Sequence, residues 1–279
     1  LKNLASEECI RFDKALTKNT ALWEKELGKI EIFGGTQKQR DIFYTSLYHC
    51  MIAPNLYSDV DNRYRGMDDK IQNAKDYNRY TVFSLWDTYR TLHPLLSIID
   101  QKRSMDFAKT FIDIQLQNGE LPMWELASAE THCMIGMHGI SVLAELYQKG
   151  IYAYPKLTLE SMVNNANPEL REINKQNYTN KKHNLLGLDY FTKNGYISSE
   201  FEHEGVSKTV EYAYNMYCVA QVAKSQGRMD LYDEYIKKSQ YYRNLINPAT
   251  GFIHPKENGR FPYFVLSRVF CQSIKGDVL

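Results

Sequence analysis

Carboxylates and aromatic side chains lie close together in several stretches of the chain. The strings SLWDT and PMWEL hold Asp87, Trp124 and Glu125, and two further candidates, His138 and Glu211, follow along the sequence. An ionised carboxylate accepts strong hydrogen bonds from hydroxyl groups, and an aromatic face covers the apolar side of a sugar ring. For any one residue, a salt bridge or a helix cap is at least as good an interpretation. Together the residues favour a carbohydrate site.

The composition is that of a folded domain with a neutral partner. The 279 residues are 43% apolar and 24% charged, which is enough for one substantial core. Lys and Arg number 34 against 33 Asp and Glu, so no overall field attracts nucleic acid or an anionic membrane. Five widely separated cysteines argue against a zinc knuckle or a disulfide framework. No apolar run approaches the ~18 residues of a transmembrane helix.

Common catalytic and metal-binding motifs are absent from the sequence. It contains no G-x-G-x-x-G, G-x-x-x-x-G-K-[ST], H-E-x-x-H or G-x-S-x-G, so dinucleotide, P-loop, zincin and α/β-hydrolase chemistries have no sequence basis. Asp59 and Asp61 begin a string similar to an EF-hand loop. Arg63 and Tyr64, however, occupy positions that need an oxygen ligand and a glycine, so we predict no EF-hand there.

Helical periodicity dominates the chain and predicts an all-α fold. Apolar residues recur every three or four positions in strong and weak segments, whereas strand alternation is scarce. The strong segments are 36–52, 79–99, 102–118, 129–149, 206–226 and 229–246, and the weak ones are 5–27, 156–165 and 184–194. Glycines at the expected helix ends, such as Gly119 and Gly227, agree with this assignment.

Two kinds of helix alternate, which favours a toroid of paired helices. Helices apolar on nearly every side should be enclosed on both faces, and these inner segments are 79–99, 129–149 and 206–226. The outer segments, 102–118 and 229–246, carry one apolar stripe, so Asp106 and Asp113 should face water. Long links lead into the inner helices and place the loops at one end, where a binding site is expected. This predicts an incomplete (α/α)6 toroid. A TPR or HEAT array is the weaker alternative because no repeat is visible.

Five blocks of the sequence resemble glycoside hydrolase family 92. The blocks are FYTSLYHCMIAPNLYSDVDNRYRGMDDKI, YTVFSLWDTYRTLHPLLSIID, LPMWELASAETHCMIGMHGISVLAELYQKGI, VSKTVEYAYNMYCVAQVAKSQG and NPATGFIHPKENGRF, and the resemblance covers about residues 20–262. The family consists of calcium-dependent, exo-acting α-mannosidases abundant in gut Bacteroidetes. Its members join an N-terminal β-sandwich domain through a helical linker to an (α/α)6 toroid, and the active site lies between the two domains.

The resemblance implies an inverting hydrolase that removes terminal α-linked mannose from glycans. In the family, a general acid, a general base acting on water and a Ca²⁺ ion at the mannose hydroxyls perform this chemistry. Asp87 and Trp124 match positions that line the terminal mannose pocket, where Asp87 would accept hydrogen bonds from hydroxyls and Trp124 would form an apolar wall. Glu125, His138 and Glu211 match motif positions of less defined role and complete the set of expected substrate-binding residues.

The family motifs that hold the acid and the base do not occur here. Neither an E-G-N-A-W-Q-Y-like nor a G-N-D-D-C-G-Q-like string is present, so we expect no catalytic acid or base in this chain. Most Ca²⁺ ligands should also lie outside it, and none can be assigned from the sequence. A lesser departure is Asn215-Met216, where the family tends to have acidic residues, and we expect it to alter surface charge.

The expected organisation is that of a truncated family member. Residues 1–38 resemble the linker from an absent β-sandwich domain, 39–262 form the N-terminal part of the catalytic toroid, and 263–279 read as an aberrant tail. The isolated chain should be inactive. Mannose-containing glycans are the expected partners, and the resemblance implies a periplasmic or cell-surface location in a bacterium. Two alternatives stay open, another (α/α)6 carbohydrate hydrolase and a non-catalytic helical module that binds sugars.

Overall fold

The computed structural model of the chain describes residues 11–170 and 187–262, and it is mostly helical, as predicted. The α-helices in chain order are α1 (Phe12–Leu27), α2 (Gln37–His49), α3 (Leu85–Thr88), α4 (Leu92–Ile99), α5 (Gln101–Asn118), α6 (His138–Gln148), α7 (Pro155–Ala166), α8 (Leu188–Asn194), α9 (Gly205–Ser225) and α10 (Met229–Lys238). A 3₁₀ helix, Tyr241–Leu245, follows α10. The predicted tail at 263–279, the start of the predicted linker and residues 184–186 lie outside the described residues.

Several helices form where the periodicity predicts them because local signals fix their ends. Helices α5, α7 and α9 begin and end within one residue of the predicted segments. The Asp100 carboxylate accepts a hydrogen bond from the Arg103 N–H at the start of α5, and Gly119 ends that helix with a φ of 84°. Pro155 occupies the first turn of α7, where a missing N–H is tolerated.

The prediction of one inner helix over 79–99 is wrong. Two short strands come first, and only α3 and α4 are helical. Val82, which lies between the strands, has a φ of 67°, a left-handed conformation that a β-branched residue rarely adopts. Tyr80 pairs with Leu56, and Ser84 pairs with Trp124, so backbone groups that a helix would use form strand pairs instead.

The prediction of a helix over 129–149 is also wrong for its first nine residues. Helix α6 begins only at His138. Ala129–Glu130 is a strand that pairs with Trp124–Leu126 in a hairpin. The turn between these strands holds Ala127 and Ser128, both with positive φ. The apolar spacing that resembled a helix belongs to a hairpin and an extended segment.

Seven short strands lie between the helices of the described residues, although strand alternation is scarce in the sequence. They are β1 (Asn55–Leu56), β2 (Arg63–Arg65), β3 (Ile71–Asn73), β4 (Tyr80–Thr81), β5 (Phe83–Ser84), β6 (Trp124–Leu126) and β7 (Ala129–Glu130). All of these described pairings are antiparallel, in the order β1–β4, β2–β3 and β5–β6–β7. The strands shape the loop-rich end of the helical framework.

The main hydrophobic core lies between α5, α6, α7, α9 and α10. Inner helices α6 and α9 run side by side in the same direction, since His138 lies beside Glu211 at one end and Gln148 donates a hydrogen bond to Ser225 at the other. Both helices are buried on most sides, as the absence of a polar face predicts. The arrangement is part of an (α/α)6 toroid, which confirms the predicted fold class.

The polar face of α5 does not face water as expected. Asp106 is buried and accepts a hydrogen bond from the side chain of Asn78, and the Tyr77 hydroxyl bonds the carboxylate of Asp113. These partners belong to the long link 53–78, which lies across the helix. Because the link supplies hydrogen-bond donors, the carboxylates of an outer helix can be covered.

The expected effect of Asn215-Met216 on surface charge is wrong. Both residues are fully buried on the inner helix α9. The Asn215 side-chain oxygen accepts a hydrogen bond from the Met137 N–H at 2.8 Å, and its amide donates to the Ser141 hydroxyl at 2.9 Å. Asn215 therefore satisfies backbone groups at the start of α6 rather than tuning the surface.

Candidate functional site

A strand pair brings the segments that carry Asp87 and Trp124 together. Asp87 is exposed in the short helix α3, and the Ser84 hydroxyl donates a hydrogen bond to its carboxylate. Ser84 is paired in register with Trp124 across β5 and β6. The Ser84 side chain thus orients the Asp87 carboxylate, while the Ser84 backbone pairs with β6, the strand that carries Trp124.

The backbone at Trp124 is fixed by a single carboxylate. Glu130 accepts hydrogen bonds from the N–H groups of Met123 and Trp124, both at 2.9 Å, and from that of His132 at 3.1 Å. A carboxylate that accepts several backbone donors makes charge-assisted bonds, which are stronger than neutral ones. The half-buried indole of Trp124 therefore stands on a rigid hairpin.

Glu125 points to the opposite face of the hairpin from Trp124, since side chains alternate along a strand. It is 0% exposed. Its carboxylate accepts hydrogen bonds from the Thr81 hydroxyl at 3.0 Å and from the Ser128 N–H at 2.6 Å. Burial raises the pKa of Glu125 above its usual range, although these bonds oppose the shift. In this structure the side chain supports the hairpin and does not reach the surface.

His138 and Glu211 come together from two inner helices. His138 Nε2 lies 3.3 Å from Glu211 Oε2, and the imidazole stacks on the ring of Tyr89 with centroids 3.9 Å apart and planes inclined by 6°. Arg90 Nη2 donates to Glu211 Oε1 at 2.9 Å. His138 is buried, so the cluster reaches solvent through Arg90 and the edge of Glu211.

The Glu211 side chain is only 12% exposed. Its carboxyl group nevertheless ionises more easily than that of a free glutamate. Burial opposes ionisation, yet the contacts with His138, Arg90 and the Tyr89 hydroxyl outweigh it and hold the pKa of Glu211 below its usual value. The arrangement is a largely buried anion between the Arg90 guanidinium and the His138 imidazole. It gives this end of the inner helices a fixed charge pattern.

A cleft of about 480 Å³ opens beside this cluster. Its lining residues come from the segment after α3 and from helices α6 and α9, and they are Tyr89, Arg90, Pro94, Glu145, Val210, Glu211 and Tyr214. Tyr89 and Arg90 come two and three residues after Asp87 in the chain. The structure brings His138 and Glu211 into contact and pairs the segments of Asp87 and Trp124, whereas Glu125 is buried under the hairpin.

Three contributors were not assigned as site residues from the sequence. Ser84 could have been found, because a serine three residues before an aspartate is a frequent local hydrogen-bonding pattern. The partners of Glu130 and Arg90 are set by the hairpin and by a contact between residues 121 apart, which the sequence does not reveal. Ser84 and Glu130 orient the predicted residues, and Arg90 also adds an exposed guanidinium at the cleft.

The described residues do not fit a metal ion. In the ranges 11–170 and 187–262, no three side chains of His, Cys, Asp or Glu converge in a group able to hold one. The pairs Asp87–Ser84 and Glu211–Arg90 already use carboxylate oxygens for internal partners. We therefore derive no chemical step that passes through calcium.

The geometry suits a neutral, polyhydroxylated ligand. An exposed carboxylate beside a half-buried indole offers a strong hydrogen-bond acceptor and an apolar face at the same place, as sugar recognition requires. A partial toroid of paired helices whose loops carry such a site is the architecture of a carbohydrate-active domain. Residues 1–268 match the glycosyl hydrolase family 92 catalytic domain, and the chain belongs to that family.

Known relatives agree with this assignment. A GH92 α-mannosidase from Bacteroides thetaiotaomicron is 34% identical with a TM-score of 0.85, over 94% of this chain and 34% of that chain. It has also been solved in complex with mannoimidazole. A GH92 inverting mannosidase from Bacteroides thetaiotaomicron VPI-5482 is 27% identical with a TM-score of 0.80, over 94% of this chain and 35% of that one.

A further relative is an uncharacterized secreted glycosidase of Arthroderma benhamiae. It is 23% identical over 266 residues, which make up 91% of this chain and 29% of that protein. The chain thus spans about a third of the length of these relatives. Within the described residues, no helix is both long enough and apolar enough to pass through a membrane.

Proposed function

We propose that the chain provides mannose-contacting residues of a glycosidase that removes terminal α-linked mannose from glycans. The observation that carries this proposal is the exposed Asp87 carboxylate, which accepts a hydrogen bond from Ser84, the residue paired with Trp124 across β5 and β6. Two of the relatives are mannosidases, and one of them has been solved with mannoimidazole, which supports a mannose-type ligand.

In this function Asp87 accepts hydrogen bonds from sugar hydroxyls and Trp124 covers the apolar face of the ring. The Ser84 and Glu130 contacts hold these two groups in place before the ligand arrives, which lowers the entropic cost of binding. His138, Glu211 and Arg90 keep the adjacent inner helices in register. Glu125 acts from below by fixing the turn of the hairpin.

None of the five predicted site residues is proposed to transfer a proton. In inverting glycosidases, an acid protonates the leaving oxygen while a base activates water, and the two carboxyl groups stand about 6.5–9.5 Å apart. The family strings for both groups are absent from this sequence, so the proposal gives this chain positioning and no acid–base step. Calcium dependence is proposed from the family resemblance alone. A secreted relative supports a location outside the cytoplasm, and a bacterial periplasm or cell surface remains our proposal.

Binding of mannoimidazole to the 279-residue chain tests the proposal. Isothermal titration should detect binding by the wild type, while Asp87→Asn and Trp124→Ala should each weaken it by more than tenfold. A charge-assisted hydroxyl contact or an aromatic wall is worth ~1.4 kcal/mol or more, which corresponds to that factor. With aryl α-mannosides, the chain should show no turnover above background.

Two variants outside the site serve as matched controls. Asp69→Asn removes an exposed carboxylate from the link between β2 and β3, and Trp23→Phe changes an indole in α1 that packs on Tyr48. Both should bind as the wild type does. Unchanged affinity in Asp87→Asn and Trp124→Ala would show that the site lies elsewhere, and turnover by the chain would show that it holds its own acid and base.

A further inference from the structure

A second cleft, of about 420 Å³, lies just before the start of α9. Two chain segments form it, the link between α8 and α9 and a turn near the end of the described chain. The residues that line it are Asn194, Tyr196, Ser198, Glu200, Phe201, Asn258 and Gly259. None of them belongs to the site around Asp87 and Trp124. The volume falls within the usual range for small-molecule pockets.

Phe201 provides an exposed aromatic face in this cleft. The side chain is 62% exposed, and its ring stacks on that of Tyr190 with centroids 4.7 Å apart and planes inclined by 1°. A single exposed phenylalanine needs no explanation. Here, however, the second ring holds it in one orientation beside polar groups, so its free face is a ready surface for an apolar ligand face.

The polar side of the cleft is held in place by internal hydrogen bonds. The Glu200 carboxylate accepts bonds from the Asn258 side chain at 2.5 Å, from the Asn258 N–H at 3.1 Å and from the Ser198 hydroxyl at 3.2 Å. The Ser199 N–H also donates to the Lys256 carbonyl oxygen at 3.0 Å, which joins the two segments. The amide and the carboxylate are therefore oriented before any ligand arrives.

The charge of the cleft favours a neutral ligand. Its lining residues, all within the described part of the chain, include no Lys or Arg, and its one carboxylate would repel an anion. The Lys256 ammonium lies over the rings of Tyr196 and Phe261, at 5.1 and 4.7 Å from their centroids. Glu200 is satisfied by three donors, so it does not demand a cation. Hydroxyl groups match the remaining donors and acceptors.

We propose that the cleft between Phe201 and Asn258 is a second carbohydrate-binding site that takes one neutral hexose unit of a glycan. One sugar face packs on Phe201, and the hydroxyls at its edge bond Asn258 and Glu200. Because α9 carries Glu211 six residues after its first residue, about 9 Å along the helix axis, the cleft lies at the same end of α9 as the first site. The inference that the two sites take parts of one glycan rests on the proposed function, whereas the cleft stands on its own geometry.

Saturation-transfer NMR titrations with methyl α-mannoside, methyl α-glucoside and methyl β-galactoside test this site. The Trp124→Ala chain is the starting point, because its remaining sugar binding comes from the second cleft. At least one of the three glycosides should still bind. Adding Phe201→Ala should weaken that binding at least tenfold, and adding Asn258→Gly should weaken it at least fivefold. Glycine keeps the positive φ of position 258 and removes only the amide side chain.

The matched control is Phe252→Ala, which removes another highly exposed phenylalanine, 73% accessible, from outside the cleft. It should leave the affinity unchanged. The proposal would be overturned if the Trp124→Ala chain bound none of the three glycosides, or if adding Phe201→Ala left its affinity unchanged. Neither result would contradict the function proposed for the site around Asp87 and Trp124. Full binding in Trp124→Ala with loss in Phe201→Ala would instead support this cleft and count against the first site.

Discussion

At the level of single residues, two glutamates near the candidate site respond to burial in opposite ways. Glu211 has His138 and Arg90 as partners, so it ionises more easily than in an unfolded chain. Glu125 lies under the hairpin, where burial outweighs its hydrogen bonds and ionisation is disfavoured. Because stability follows the difference in pKa between folded and unfolded states, the two side chains should give the protein opposite pH dependences.

Glu211→Gln should cost stability at neutral pH and progressively less in acid. The folded pKa of Glu211 is lower than its ordinary value of 4.5, so its contribution is fully present above 4.5 and is lost as pH falls through the folded value. Urea denaturation of wild type and variant between pH 3 and pH 7 measures this. Glu160→Gln, at an exposed site on α7, is the control. A stability difference independent of pH would contradict the assigned ion pair.

Glu125→Gln should show the reverse trend. The folded pKa of Glu125 is above 4.5, so the wild type is free of the ionisation penalty below that pH and loses stability as pH rises through the folded value. The neutral amide has no such loss. Relative to wild type, the variant should gain stability between pH 4.5 and pH 8 in the same denaturation series. If the variant instead becomes less stable than the wild type as pH increases over this range, Glu125 is stabilised as an anion.

At the level of elements, one side chain links the two inner helices at the site end. Asn215 on α9 accepts from Met137 and donates to Ser141 on α6, and His138 is the first residue of α6. The side-chain oxygen of Asn215 therefore accepts a hydrogen bond from the N–H of Met137 just before α6. No side chain at the start of α6 itself caps this helix. The position of His138 beside Glu211 depends on this contact between helices.

Asn215→Ala should destabilise the fold by about 1–3 kcal/mol, because it leaves a buried N–H without its acceptor. Chemical denaturation measures the change in unfolding free energy. The control, Ser207→Ala, lies at an exposed position of the same helix and should stay within about 0.5 kcal/mol of wild type. Equal stability of the two variants would show that the contact with Met137 contributes nothing.

At the level of the whole molecule, the first helix leaves apolar side chains exposed. Within the described chain, α1 has no buried residue, and Phe12, 77% exposed, and Leu16 lie one turn apart on it. Its attachment to the rest of the fold includes the ion pair Arg103–Glu26 and the packing of Trp23 on Tyr48. These contacts lie toward the end of α1, so Phe12 and Leu16 near its start stay accessible to another molecule.

The isolated chain should therefore associate in solution. Light scattering at increasing concentration should show species larger than the monomer, together with binding of an apolar dye. Replacing Phe12 and Leu16 by Ser should reduce both signals, whereas Lys14→Ser on the same helix should not. A wild-type chain that stays monomeric, melts cooperatively and binds little dye would contradict this expectation.

The sequence by itself determined the helical class, the family and the ends of helices α5, α7 and α9. These features depend on periodicity, caps and glycines within one segment, so each can be predicted where it occurs. The sequence blocks around Asp87 and Trp124 also predicted site residues whose segments the structure joins through the pairing of Ser84 with Trp124. Such local information predicts which elements form when no distant partner competes for the backbone.

Only the tertiary structure decided how the site is built. The segment 79–99 has a helical pattern, but pairing of Ser84 with Trp124 from a later segment turned part of it into strand. The hairpin then sent Glu125 inward, because neighbouring side chains on a strand face opposite sides. Arg90 met Glu211 across 121 residues. Such contacts depend on packing between distant segments, whose free energy no local pattern records, and they outweigh local propensity where they form.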